Sequence, residues 1–214
     1  MLQALQQSDF VVQLLGYCET PIPALITEYH NLGSLDNIDQ ILQQKDTDNI
    51  VTRFALCLNY VRIIHYLHTS PIGTRVMCDS NDLHKTLSQF LVTSDLKVVI
   101  NDLDALPLVD SSTGLRITCG HRELVGDFIA PEQLWPYPER EFSEESMPGY
   151  DEMTDIWKIP SVVDYLLGSG PLGDVVRFNL FKVHSSCRSK DPVDRPSAIQ
   201  VLDVYLEVKQ SLQL

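Results

Sequence analysis

The sequence predicts an α+β fold in which a few short strands give way to a helix-rich lobe. Three observations carry that prediction. Apolar runs of strand length recur through the first half, in VVQLLGYCE, ALITEY, QFLVT and LKVVIND. TRFALCLNYVRIIHYLH, residues 52 to 68, is apolar at helical spacing and reads as a buried helix. SAIQVLDVYLEVKQSL closes the chain as an amphipathic helix, opened by a Ser197…Gln200 capping box.

In order, residues 1 to 29 read as one helical turn followed by two strands around the turn-like TPIP. HNLGSLDNIDQIL changes period, with Ser34 placed to cap a short helix. SPIGTRVM gives a turn and a short strand, and QFLVT and LKVVIN form a hairpin around Ser94-Asp95. Residues 111 to 126 are polar and loop-like, and Pro131 suits the first turn of a short helix. YPEREFSEESMPGYDE reads as an acidic, solvated surface loop. DIWKIPSVVDYLLG reads as a helix that Pro160 either bends or starts. There is no internal repeat and no low-complexity tract.

A chain of 214 residues, 44% hydrophobic, can bury one substantial core, or one large lobe and part of a second. Its formal net charge of −13 argues against nucleic acid or an anionic membrane surface as partner, since both reward Lys and Arg. No apolar run is long enough to span a bilayer, and MLQALQQSDF lacks the pattern of a secretory signal. Cys18, Cys57, Cys78, Cys119 and Cys187 form no CxxC pair, and their odd number forbids complete internal pairing. By themselves they read as idle thiols of a cytosolic protein.

Asp79 follows the strand-like TRVMC, and Asp102 follows LKVVIN. Taken singly, an aspartate at a strand end is first a turn former. Taken together, two carboxylates at neighbouring strand ends can share a site where one accepts a proton and the other binds Mg²⁺.

Downstream segments change the weight of these acids. IAPEQL contains Ala130-Pro131-Glu132, DIWKIP contains Asp155 and Trp157, and DPVDRPS contains Arg195-Pro196. In this order and spacing they resemble the protein kinase fold along essentially the whole chain. VVQLLGYCE looks like its fourth strand, TEYHNLGSL like its hinge, and NYVRIIHYLH like the long helix before the catalytic loop. The resemblance implies that residues 1–29 are a remnant of the kinase N-lobe (the end of its third helix, fourth and fifth strands, hinge). Residues 30–214 are then a helix-rich C-lobe.

The resemblance also implies roles. Asp102-Leu103-Asp104 stands where kinases carry aspartate-phenylalanine-glycine, so Asp102 is the implied Mg²⁺ ligand against the ATP phosphates. Asp104 replaces the glycine, losing backbone freedom and adding a carboxylate near the metal. VMCD, residues 76 to 79, stands where the loop reads valine-histidine-arginine-aspartate. Asp79 is therefore the implied base, with Asp82 of DLHK as rival. The metal-binding asparagine has no clear match: Gln89 aligns by its strand, and Asn81 has the right chemistry. Glu132 is implied to pair with Arg195, and Asp155 to brace the backbone of the catalytic loop.

The runs TRVMCDSNDLHKTLSQFLVTSD, VVINDLDALPLVD and CGHRELVGDFIAPEQLWPY are similar to the protein O-mannose kinase family. That resemblance implies an enzyme of the endoplasmic reticulum lumen, single-pass type II, tethered by an N-terminal signal-anchor. It implies transfer of phosphate from ATP, with Mg²⁺, to the 6-hydroxyl of mannose in the GalNAc-GlcNAc-Man trisaccharide of α-dystroglycan. His121, Arg122 and Glu123 of CGHREL then become candidates to bind sugar hydroxyls, against the plainer reading of a solvated charged loop. A lumenal address also recasts the cysteines as possible disulfide partners, Cys78 foremost, with its pairing left open.

The sequence shows no glycine-rich loop, no lysine-bearing third strand, no glutamate partner for that lysine and no signal-anchor. On the kinase reading those parts cradle the nucleotide, so the chain is expected to be a fragment or shortened form, inactive by itself. The alternative is a pseudokinase-like module that binds glycan or protein without catalysis. It is motivated by VMCD, by Asp104 and by the missing lysine. An ordinary protein kinase fits less well, because its loop would carry histidine-arginine-aspartate.

Overall fold

In the computed structural model, which describes every residue except Pro21, Pro23 and Asp79, a single helical turn, α1 (Leu2–Leu5), leads into a hairpin. Its strands are β1 (Leu14–Cys18) and β2 (Ala24–Thr27), antiparallel with Leu14 opposite Thr27 and a bulge between Leu14 and Gly16. The apolar faces of this hairpin are open to solvent, Leu15 being 68% and Leu25 66% exposed. Just before it, Val12 N–H donates to Ile100 O at 3.1 Å and Phe10 O accepts from Ile100 N–H at 2.8 Å.

Ser34 precedes a 3-10 turn, Leu35–Asn37, that leads into α2 (Ile38–Lys45). Ser34 is the N-cap residue in backbone conformation, but among the described residues its buried Oγ has no hydrogen-bond partner, and its backbone bridges Leu91. The long helix α3 (Ile50–His68) starts at Asn49, whose side chain accepts from Thr52 N–H at 3.0 Å. Short elements follow: β3 (Thr74–Arg75), α4 (Leu83–Ser88), β4 (Phe90–Val92), β5 (Val98–Ile100) and β6 (Leu108–Val109). β4 and β5 form the hairpin, Phe90 opposite Ile100, and the turn between them holds Leu96 at φ 60.

From residue 110 to 150 the chain is mostly loop, with 3-10 turns at Pro131–Gln133 and Glu144–Ser146. The acidic stretch is not wholly solvated. Tyr150 at its end is buried, bridges Ile117, and its hydroxyl accepts from Cys119 N–H at 2.5 Å. Three long helices complete the chain: α5 (Met153–Leu167), α6 (Pro171–Cys187) and α7 (Ala198–Leu212). Pro160 lies inside α5, where its lack of an N–H leaves the Ile156 carbonyl without the usual intrahelical donor. The Ser197…Gln200 box opens α7, with Ser197 N–H donating to Gln200 Oε1 at 2.8 Å.

α3 packs against α5 and α7, so it is buried on nearly every side. Phe54, Tyr60, Ile63 and Ile64 of α3 meet Ile156, Val163, Val201 and Tyr205 in one continuous core. Among the described residues no helix is long and apolar enough to cross a membrane. The α6–α7 contact includes His184 Nε2, 2.7 Å from the Tyr205 hydroxyl. Burial pushes this imidazole down from 6.5 to about 4. A depressed folded pKa means a stabilising contribution present above the unfolded value and lost as pH falls through the folded one. Thermal melts between pH 7 and 4 are therefore expected to fall more steeply for the wild type than for His184→Gln.

Candidate active site

β3 pairs antiparallel with β6, Thr74 opposite Val109, and the pairing continues beyond both strands. Val76 N–H donates to Pro107 O at 3.2 Å, and Cys78 N–H to Ala105 O at 3.0 Å. This zipper sets Cys78 against the residue that immediately follows Asp104. Asp79, the candidate base, lies outside the described residues, and its position follows from its neighbours in sequence only.

Those neighbours rest on α5. Asp155 is 2% exposed, and its Oδ2 accepts from Met77 N–H and lies near His68 Nε2, both at 3.2 Å. One turn further along α5, Lys158 Nζ donates to Ser80 Oγ at 2.6 Å, and Ser80 Oγ donates to Met77 O at 2.6 Å. Burial pushes the Lys158 amine down to about 8, with Asp155 and Glu132 partly opposing the shift. Lys158 and His68 were not singled out by the sequence. The signal for Lys158 was there: a lone cation on the apolar stripe of DIWKIPSVV.

Asp102 is half-buried at the end of β5, and its backbone is fixed by Gln89, whose carbonyl accepts from Asn101 N–H at 2.9 Å and Asp102 N–H at 3.4 Å. The Gln89 amide itself is spent on the end of α4, donating to Lys85 O at 2.9 Å. Asp104 is exposed, and its carboxyl is held below the usual carboxylate range, chiefly by a hydrogen bond with Asp102 and more weakly by the charge of Lys85. Two carboxyls in contact are hard oxygen donors that a divalent cation can take in place of a shared proton. The pair therefore fits Mg²⁺. Among the described residues no group of three or more His, Cys, Asp or Glu could hold a metal.

The other predicted residues fall into place unevenly. Asp82 is the N-cap of α4, its Oδ1 accepting from Lys85 N–H at 2.8 Å, a structural task that occupies the rival carboxylate. Asn81 is half-buried beside it. His121, Arg122 and Glu123 are all exposed, with His121 Nδ1 2.7 Å from Glu144. Ala130 N–H donates to Gln133 Oε1 at 3.3 Å, and Pro131 opens the 3-10 turn. Glu132 meets Arg195 through two hydrogen bonds of 2.5 and 2.7 Å.

Two of the five cysteines are not idle thiols. Cys78 and Cys119 form a disulfide across a sequence separation of 41, joining the segment before Asp79 to the loop that carries His121. Closing such a loop restricts the unfolded chain by up to about 4 kcal/mol. Cys57 and Cys187 are buried and free, and Cys18 is exposed.

No protein-family model matches the chain. Over its whole length the chain is 54% identical to the protein O-mannose kinase of Homo sapiens, of which it covers 61%. The same identity holds to the Xenopus laevis protein O-mannose kinase over 97% of the chain and 60% of that relative. A shorter stretch, 98 residues and 44% of the chain, is 37% identical to the extracellular tyrosine-protein kinase PKDCC of Homo sapiens, covering 18% of it. The chain thus resembles protein O-mannose kinases from end to end and spans about three-fifths of their length. Its mixture of helices with small sheets suits the kinase-like fold that the tyrosine-kinase match points to.

Proposed function

We propose that the chain is the larger part of a kinase for O-linked mannose. The reaction transfers phosphate from ATP to the 6-hydroxyl of mannose in the GalNAc-GlcNAc-Man trisaccharide of α-dystroglycan. The observation that carries this reading is the end-to-end similarity to proteins of that name, which includes both acid-bearing segments. Asp79 takes the proton of the attacking hydroxyl, a task that needs a carboxylate held in fixed geometry. Asp102 and Asp104 would hold Mg²⁺, which supplies positive charge against the ATP phosphates. Asn81 and Gln89 are the candidates to complete that site; Gln89 Nε2 is bonded to Lys85 O, and Oε1 is the atom a metal would take. His121, Arg122 and Glu123, exposed beside the disulfide loop, are available to the glycan.

In this reading residues 1–29 belong to the smaller, β-rich lobe and residues 30–214 to the larger one. Support comes from the open apolar hairpin of β1 and β2, a face that further strands would cover. A location in the endoplasmic reticulum lumen, on a membrane tether, goes with the same reading. The Cys78–Cys119 bond favours it, since disulfides persist in oxidising compartments.

The test is to incubate the protein in its full-length form with Mg-ATP and a synthetic GalNAc-GlcNAc-Man glycoside. The expected product carries one phosphate, located at mannose C6 by NMR. Binding of the glycoside without phosphate transfer would instead make the protein a glycan-binding module.

A further inference from the structure

α5 holds the segment before and after Asp79 by two opposite charges. Asp155 takes the Met77 N–H, and Lys158 donates to Ser80 Oγ. Ser80 closes the segment on itself: its N–H donates to Cys78 O at 2.8 Å and its hydroxyl to Met77 O. Cys78 is tied sideways, to Ala105 by its amide and to Cys119 by its sulfur. Each described residue from 77 to 80 thus has its own tether.

Lys158 is the costly member of this set. It is 2% exposed, and among the described residues its one hydrogen bond is to Ser80. Removing an ammonium from water costs several kcal/mol, and the nearby Asp155 and Glu132 carboxylates offset only part of that cost. Packing therefore does not account for a lysine here. An ammonium does what a methionine cannot: it can only donate, so Ser80 Oγ must accept from it and commit its own proton to Met77 O.

We propose that Lys158 is a positioning residue for phosphate transfer: through Ser80 it sets the conformation of Met77, Cys78 and Ser80, the neighbours of Asp79 in sequence. The consequence for turnover rests on the kinase reading above, whereas the link between Lys158 and the segment does not.

Two measurements separate these. Hydrogen exchange of peptides covering residues 74–83 reads the segment directly. In Lys158→Met and in Ser80→Ala, exchange is expected to quicken about ten- to hundredfold, the scale of one hydrogen bond to a charged group. In Ser80→Thr, which keeps the hydroxyl, it is expected to stay slow. In the full-length protein both damaging variants are expected to lower kcat on that same scale with KM for ATP little changed, and the double variant to be no worse than either single one. Because Lys158→Met also takes a cation away from the buried Asp155, some loss of melting temperature is expected; the contrast of Ser80→Ala with Ser80→Thr in exchange and kcat is the readout that a purely structural role would not reproduce. Unchanged exchange in both variants, or single losses that multiply in the double variant, would overturn the proposal. If Lys158→Met does not fold, the contrast between Ser80→Ala and Ser80→Thr decides. If the wild type transfers no phosphate, the kinase reading fails, and the exchange comparison still decides the Lys158 link.

Discussion

Asp102→Asn is expected to lower phosphate transfer by the full-length protein about a thousandfold, the scale of losing one preorganised electrostatic partner in a transition state. The same substitution is expected to leave thermal stability little changed. Both outcomes follow from where the side chain sits. β5 ends at Ile100, and the two amides after it converge on the Gln89 carbonyl, which fixes the backbone at Asp102. Asparagine has nearly the same shape and can still hydrogen-bond to Asp104. What it lacks is charge, and Mg²⁺ holds its geometry on anionic oxygens. Stability is expected to change little because an asparagine amide can donate the hydrogen bond that holds the Asp104 carboxyl down. Turnover with Mg-ATP, a Mg²⁺ titration and a thermal melt on the same preparation check all three parts. A rate near that of wild type would remove Asp102 from the metal site.

The fold was more legible than the site, for a physical reason. α3, α7 and the β4–β5 hairpin announce themselves because burial repeats with the period of the element, and that period is written in neighbouring residues. Ser34 was legible as an N-cap because capping preference is local, whereas its bridge to Leu91 joins residues 57 positions apart in the chain. Asp82 was ambiguous for a related reason. The same residue type caps helices and serves as a base, and only the 2.8 Å contact to Lys85 N–H shows what this carboxylate is doing. The cysteine pairing could not be read at all, since it depends on two loops meeting with 5.0 Å between Cα atoms. Lys158 was visible as an oddity, but its meaning needed the position of Ser80, which α5 and β3 fix together.

Arg195→Met is expected to be the most destabilising single change, at about 3–5 kcal/mol, the cost of breaking a buried ion pair from one side. The Arg195 side chain is 0% exposed and Glu132 only 16%. Besides its two bonds to Glu132, the guanidinium donates to Met153 O at 2.9 Å and Ser189 O at 2.8 Å. Its Cζ also lies 5.1 Å from the centre of the Trp157 ring, a ring that Arg188 approaches at 4.6 Å. Methionine would fill much of the volume but take the guanidinium away from the Glu132 carboxylate and from the Met153 and Ser189 carbonyls, in a place water reaches poorly. In a chain of this size such a loss lowers the melting temperature by roughly 10 °C. Glu132→Gln should cost less, because a neutral amide oxygen still accepts from Arg195. The double variant Glu132→Met, Arg195→Met should recover part of the loss of Arg195→Met alone, since no charge is then stranded. Melts of the four proteins separate the pair's net contribution from the penalty of breaking it. Repeating them at high salt adds a second check: a buried pair is screened far less than an exposed one, so the ordering of the four should survive. If Arg195→Met instead melts within a degree or two of the wild type, Glu132 must find solvent or another donor when the arginine is gone. The segment around Pro131–Gln133 would then be held to α5 by its packing and not by this pair.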